Sequence, residues 1–291
     1  MMKKLSSLLL LALLVLLAAC GQSGGSGTSD SNSSASDGEG DQPTAEEPVE
    51  LVVGASVTPH AEILEHAKPL LEEKGVILEI ETFTDYVMPN KALESGDLDA
   101  NYFQHIPYLE AQKEEFGYDF VNAGGIHIEP MGFYSQRIES LSDLPEDGTI
   151  IISNSVSDTG RTLALLEKEG VITLDESVNK ADATLEDIVE NPKNITIRND
   201  VNPELLTATY ENDEADAIAI NTNFAIDADL NPLEDAIALE GSESPYVNII
   251  AVRSEDKDNE AIKTLVEVLH SDELQTFMEE EFQGALVPVS E

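Results

Sequence analysis

Residues 49–83 read VELVVGASVTPHAEILEHAKPLLEEKGVILEIETF and decide the fold class. The opening run is mostly apolar and ends in small side chains, which predicts a strand buried on both faces. Thr58 and Pro59 are typical of a helix start, and Gly75 is typical of a helix end. The closing run predicts a second strand. A strand, a helix and a strand in this order indicate a βαβ unit with two parallel strands.

The same alternation continues along the rest of the chain and predicts an α/β protein. Two successive α/β modules followed by closing helices indicate two lobes. No Ser/Gly linker divides them, so we expect ordered crossings near 125–131 and 223–229. Each lobe should be a mixed sheet flanked by helices, with the ligand cleft between the lobes. The predicted boundaries are residues 49–128 and 226–291 for lobe 1 and residues 129–225 for lobe 2.

The N-terminal segment predicts export and a lipid anchor. Residues 1–19 combine a basic start, an apolar run too short to be read as a membrane span, and two alanines, as secretory signals do. Cys20, the only cysteine, ends the motif LAAC, which resembles a bacterial lipobox and implies cleavage before a diacylated Cys20. Two acyl chains hold a protein at a membrane where one is marginal. Residues 20–48 are rich in Gly, Ser, Asp and Glu, and predict a disordered acidic linker.

The charge of the chain excludes one class of partner. Fifteen Lys and Arg residues stand against 58 Asp and Glu residues, for a formal net charge of −43. Such a surface repels nucleic acid. It also needs screening by salt, which suggests a saline or alkaline external habitat. We expect a monomer on the extracytoplasmic face of a Gram-positive cell membrane.

Aromatic residues are scarce and concentrated in one region. The chain has seven tyrosines, eight phenylalanines and no tryptophan, and ten of these lie between residues 83 and 134. Tyr86, Phe103, His105 and Tyr108 fall at strand ends and turns, where doubly wound sheets bind ligands. Two interpretations are open: plain core packing, or the wall of a pocket for an apolar side chain such as a thioether. His105 could equally be a structural histidine.

Arg161, in GRTLALLEKEG, is expected in the first turn of a helix. A cation there opposes the helix dipole, whereas a bound anion would reverse that relationship. A ligand carboxylate could be held by the planar guanidinium. The alternative is an ion pair with a neighbouring acid such as Asp158. Asn221 follows an apolar strand, where its amide could read an ammonium and a carboxylate, or simply cap a turn.

The sequence offers no sign of catalysis. It has no nucleophile elbow, no HExxH, no Walker loop and no GxGxxG, so we expect neither an enzyme nor a cofactor. Two alternative classes stay open beside a small-molecule binding protein. One is metal capture through His60, His105 or His127 with nearby carboxylates. The other is an acidic surface lipoprotein with a structural or adhesive role.

Several blocks together resemble a known family. They are FTDYVMPNKALESGDLDANYFQHIPYLEAQ, GRTLALLEKEG, TLEDIVENPKNITI, AINTNFA and SPYVNIIAVRSEDKD. These blocks are similar to the methionine-binding lipoproteins of ABC importers, the NlpA/MetQ family, over essentially all of residues 49–289. The resemblance implies a two-lobed periplasmic-binding-protein fold of type II. It implies an ABC permease and its ATPase as partners, and a ligand that is L-methionine, D-methionine or a small methionine peptide.

The resemblance also implies roles for particular residues. An aromatic group should wrap the ligand side chain, Arg161 should clamp the α-carboxylate with Asn154 beside it, and Asn221 should read the amino-acid backbone. The aromatic group comprises Tyr86, Phe103, His105 and Tyr108. The chain departs from the family in three places. Ser155 stands where relatives usually have Asp, and no Arg precedes the AINT strand. The stretch NDVNPELL differs from the usual ELEAAQL, which makes Asn202 a weak candidate for the ligand site. These departures leave the choice among the three ligands open.

Overall fold

The βαβ unit predicted from residues 49–83 is present in the computed structural model, which describes residues 48–241 and 244–289. Strand β1 (Val49–Ser56) pairs in parallel with β2 (Val76–Phe83), with Val49 opposite Val76. Helix α1 (Glu62–Glu73) connects them and buries its apolar side, including Ile63 and Leu64, against the sheet. The predicted order of strand, helix and strand is therefore confirmed, but α1 begins at Glu62, after a separate helical turn at Val57–Ala61, and not at Pro59.

The first sheet has the order β13-β4-β12-β3-β1-β2. Its remaining strands are β3 (Ala100–His105), β4 (Phe120–Ile128), β12 (Val247–Arg253) and β13 (Val287–Pro288). Helices α2 (Met88–Ser95), α3 (Ile106–Phe116), α8 (Glu260–Leu269) and α9 (Asp272–Glu281) accompany these strands. Leu265, Leu269 and Met278 of the last two helices share one apolar core with Leu51 and Ile63.

The second sheet has the order β11-β5-β10-β6-β9. Its strands are β5 (Gly132–Tyr134), β6 (Thr149–Ser153), β9 (Thr196–Val201), β10 (Ala217–Ile220) and β11 (Ala238–Leu239). A separate hairpin-like pair joins β7 (Thr173–Leu174) to β8 (Ile188–Glu190). The helices are α4 (Val156–Lys168), α5 (Leu206–Glu211), α6 (Thr222–Asp227) and α7 (Pro232–Asp235). We call the first sheet with its helices lobe 1 and the second lobe 2.

The first crossing between the lobes follows β4, and the second lies later in the chain than the expected residue 226. Strand β4 ends at Ile128 in lobe 1, and β5 begins at Gly132 in lobe 2. The return was expected at residue 226, but β11 still pairs with β5 in lobe 2. The chain rejoins lobe 1 only at β12, so the second crossing lies between Leu239 and Val247, and residues 240–241 and 244–246 of it are described. A two-residue edge strand is too short to give the periodic pattern from which strands are predicted.

The predicted signal peptide (1–19), Cys20 and all but the last residue of the predicted linker (20–48) lie outside the described residues. Among residues 48–241 and 244–289, none of the helices combines the length and apolar character that crossing a membrane requires.

Candidate functional site

A cavity lies between the two lobes and is lined by residues of both. Six of the seven predicted ligand residues line it, namely Tyr86, Phe103, His105, Tyr108, Arg161 and Asn221. The other lining residues were not predicted from the sequence, and these are Gln104, Glu129, Met131, Asp158, Thr222, Asn223 and Asn248. Thr222 and Asn223 could have been predicted as lining residues, because they directly follow Asn221 in the same polar run.

Lobe 1 contributes the aromatic side of the cavity. The ring centroids of Tyr86 and Phe103 are 6.0 Å apart, and those of Phe103 and Tyr108 are 5.9 Å apart. The Tyr108 hydroxyl donates to the Tyr86 backbone carbonyl oxygen at 2.8 Å, which positions the Tyr108 ring. His105 caps helix α3, since its Nδ1 accepts from the Tyr108 backbone N–H at 3.1 Å. The wall is therefore lined by rings, and hydrogen bonds to the backbone hold Tyr108 and His105 in place.

Arg161 lies on the lobe 2 side and is buried, with 5% of its surface exposed. Its Nη2 donates to the Glu129 carbonyl oxygen at 3.0 Å and to the Glu240 carboxylate. Its Cζ lies 4.2 Å from the ring centroid of Tyr246. Burial alone would lower the pKa of Arg161, but Glu240 and Asp158 raise it overall, so the guanidinium stays protonated.

Helix α4 begins earlier than the sequence suggested. Ser155 is the N-cap residue and α4 starts at Val156, so Arg161 lies beyond the first turn. The expected position of Arg161 in the first turn is therefore wrong. Asp158 occupies the first turn instead, where the helix dipole stabilises a carboxylate. The Arg161–Asp158 ion pair named as the alternative is long, at 3.9 Å between Nη1 and Oδ1, and Glu240 is the closer partner.

Asp158 and Asn221 present acceptor atoms that lack donors. Asn221 Nδ2 donates to Asp158 Oδ2 at 3.1 Å. Asp158 Oδ1 and Asn221 Oδ1 are buried and have no hydrogen-bond partner among the described residues, although His105 Nε2 lies 3.5 Å from Asp158 Oδ1. Burial raises the pKa of Asp158, but His105, Arg161 and Asn221 lower it overall. Unpaired acceptors of this kind suit an incoming ammonium group.

Asn154, the seventh predicted residue, does not line this cavity. It is exposed, one residue beyond the end of β6, and its Nδ2 donates to Asn202 Oδ1 at 2.7 Å. Both asparagines line a separate, wider groove that also contains Tyr86 and Tyr108. The predicted place of Asn154 beside Arg161 at the carboxylate stays a prediction.

Three buried side chains could by type hold a metal ion, namely His60, His127 and Glu129, of which Glu129 lines the cavity. Their hydrogen bonds already explain the cluster. His127 Nε2 donates to Glu129 Oε1 at 2.9 Å, which leaves His127 Nδ1 to accept from the Tyr102 hydroxyl at 2.5 Å. His60 Nε2 lies 3.2 Å from Asn248 Oδ1. His105, named in the metal alternative, instead contacts Asp158 and the α3 backbone.

The chain was compared with known proteins. The family model for the NlpA lipoprotein matches residues 51–290. The methionine-binding lipoprotein MetQ of Bacillus subtilis is 53% identical over 83% of this chain and 89% of the relative. The D-methionine-binding lipoprotein MetQ of Salmonella typhi is 39% identical over 83% of this chain and 89% of the relative.

Solved structures show the same fold. A nutrient-binding protein from Burkholderia cenocepacia, bound to methionine, is 41% identical with a TM-score of 0.78. The match covers 82% of this chain and 99% of that protein. This similarity confirms the predicted two-lobed binding-protein fold. With a family model that spans nearly all the described residues, the chain belongs to the NlpA lipoprotein family.

Proposed function

We propose that this protein is the substrate-binding lipoprotein of an ABC transporter, and that it captures methionine or a small methionine derivative between its lobes. The single observation behind the proposal is the division of the cavity. Tyr86, Phe103 and Tyr108 form one wall, and Arg161 with Asp158 forms the other. The names of the relatives and the methionine in the Burkholderia protein support the same ligand class.

The two walls match the two ends of an α-amino acid. The apolar thioether would contact the rings, with the favourable sulfur–aromatic interaction that such contacts give. The α-carboxylate would contact Arg161, which is a buried cation with its Nε unpaired among the described residues. The α-ammonium would donate to the unpaired oxygens of Asp158 and Asn221. Burial of a zwitterionic ligand is favourable only when its carboxylate and its ammonium group are both paired in this way.

Delivery follows from closure of the lobes. A ligand that contacts both lobes favours the closed form by its difference in affinity for the two forms. The closed form would be recognised by the ABC permease and its ATPase, with the protein acting as a monomer. Diacylated Cys20 would anchor it on the extracytoplasmic face of the membrane. Replacing Cys20 with Ser should release the protein from the membrane fraction into the medium, and retention in the membrane would argue against this anchor.

The ligand assignment can be tested by thermal unfolding. Protein stripped of ligand by unfolding and refolding should gain about 2.7 kcal/mol with L-methionine, D-methionine or Gly-Met at 100 times its Kd. Arg161→Ala should abolish the gain. Arg198→Ala, at a surface arginine of lobe 2, should retain it. No gain with any of the three ligands would refute the proposal, and bound zinc in the purified protein would favour the metal alternative.

A further inference from the structure

Arg161 is attached to both crossings between the lobes. Its Nη2 donates to the carbonyl oxygen of Glu129, in the first crossing, at 3.0 Å. The same nitrogen pairs with the carboxylate of Glu240, in the second crossing. The ring of Tyr246, also in the second crossing, packs against the guanidinium plane at 4.2 Å. The Arg161 side chain therefore joins Glu129 and Glu240, which are 111 positions apart in the sequence.

Glu240 also connects the two crossings without Arg161. Its Oε2 accepts from the Met131 backbone N–H at 3.3 Å, and its own N–H donates to the Met131 carbonyl oxygen at 2.9 Å. The Ser244 hydroxyl approaches Oε1 at 3.5 Å. The backbone of the first crossing thus fixes the orientation of the Glu240 carboxylate independently of Arg161.

The contacts of Arg161 are confined to one end of its guanidinium. Nη2 is occupied by Glu129 and Glu240, whereas Nε has no partner among the described residues and Nη1 is 3.9 Å from Asp158. Arg161 itself lines the cavity. A planar guanidinium binds a carboxylate well only in a defined orientation, so the groups that hold Nη2 determine how the free donors face a ligand.

We propose that Glu240 is a positioning residue for ligand recognition. It holds Nη2 of Arg161 through a hydrogen bond anchored on the first crossing, and so presents the remaining N–H donors to the ligand carboxylate. This inference rests on the proposed function, because it assumes a ligand with a carboxylate at Arg161. Glu240 itself does not line the cavity, so its effect on the ligand acts through Arg161.

The test compares methionine with methioninamide, which lacks the carboxylate. The ratio of their Kd values measures how much Arg161 contributes to recognition. Glu240→Ala should weaken methionine binding by about tenfold or more, a change of about 1.4 kcal/mol, while methioninamide changes little. Glu240→Gln keeps an acceptor for Nη2 and should restore methionine binding to within about threefold of wild type. Glu234→Ala, an exposed acid on α7, serves as the matched control.

Each outcome is decisive. Equal loss of methionine and methioninamide binding in Glu240→Ala would show a merely structural role and overturn the proposal. An unchanged ratio of the methionine and methioninamide Kd values in Glu240→Ala would overturn it too. So would a Glu240→Gln variant that binds methionine as weakly as Glu240→Ala. Failure of the wild-type protein to bind methionine would instead refute the proposed function, so the two failures are distinguishable. Urea unfolding of both variants verifies that the protein folds.

Discussion

The Tyr86 hydroxyl donates a 2.6 Å hydrogen bond to Asn223 Oδ1, and this bond joins the two lobes across the cavity. Tyr86 follows β2 of lobe 1, and Asn223 lies in α6 beyond the end of β10 in lobe 2. The Tyr86 and Phe224 rings also meet, with centroids 5.1 Å apart. The bond exists only while the lobes are together, so it contributes to closure.

Tyr86→Phe should weaken ligand binding while keeping the aromatic wall. The variant loses one hydrogen bond and leaves Asn223 Oδ1 without its donor, at a cost of roughly 1–3 kcal/mol to the closed form. We expect the Kd for methionine to rise about fivefold or more, measured by isothermal titration calorimetry. Tyr118→Phe, in the same lobe but away from the cavity, should leave the Kd unchanged. A wild-type Kd in Tyr86→Phe would show that this bond does not favour closure.

Asp158→Asn should impair recognition of the ammonium group. The variant keeps the shape of the side chain but removes the negative charge of the carboxylate, which includes the unpaired Asp158 Oδ1. Methionine should bind about tenfold more weakly or worse, because hydrogen bonds to a charged partner are the stronger ones. The desamino analogue, 4-(methylthio)butanoate, should bind the variant at least as well as wild type. Parallel losses for both ligands would contradict this role, and Asp200→Asn on the surface is the control.

Gly160→Ala should destabilise lobe 2 and displace Arg161. A Cβ at residue 160 would lie 2.2 Å from the Ala181 carbonyl oxygen and 2.7 Å from that of Lys180, and backbone atoms cannot yield as a flexible side chain can. Overpacking of this kind costs about 1–3 kcal/mol of unfolding free energy. Urea unfolding should show the loss, together with weaker methionine binding. Val156→Ala, 81% exposed at the start of the same helix, should change stability little, and equal stability of both variants would refute the steric argument.

Stability should fall as the pH drops from 6.5 towards 4, partly through His60. Burial lowers the pKa of His60 from 6.5 to about 4, although Glu129 opposes the shift. The unfolded chain therefore binds a proton in this range that the folded protein does not, so stability is present above pH 6.5 and is lost as the pH falls. The upper limit of this contribution is on the order of 3 kcal/mol.

His60→Gln should reduce that pH dependence. Urea midpoints at pH 7 and pH 5 should differ less in the variant than in wild type, because the buried group that avoids protonation is gone. His66→Gln removes a partly exposed histidine from the same lobe and should retain the wild-type pH dependence. An identical pH dependence in His60→Gln and wild type would exclude His60 as the cause.

The sequence predicts the order of the strands and helices where these elements are long. The βαβ unit at residues 49–83 was predicted because an eight-residue apolar strand and a capped amphipathic helix leave a strong periodic signal. The two-residue strand β11 leaves none, so the second crossing was placed too early. The start of α4 was also misplaced, because Ser155, Ser157 and Asp158 are all acceptable N-cap residues and only the packing of the helix selects among them.

The sequence by itself determined an α/β architecture, a concentration of aromatic residues between residues 83 and 134, and a basic residue, Arg161, near the start of a helix. It could not supply Glu240, because the pair with Arg161 spans 79 positions and most acids in a chain of charge −43 face water. Tertiary structure decided that contact, since which polar groups lose their water depends on how the two lobes and their crossings pack together.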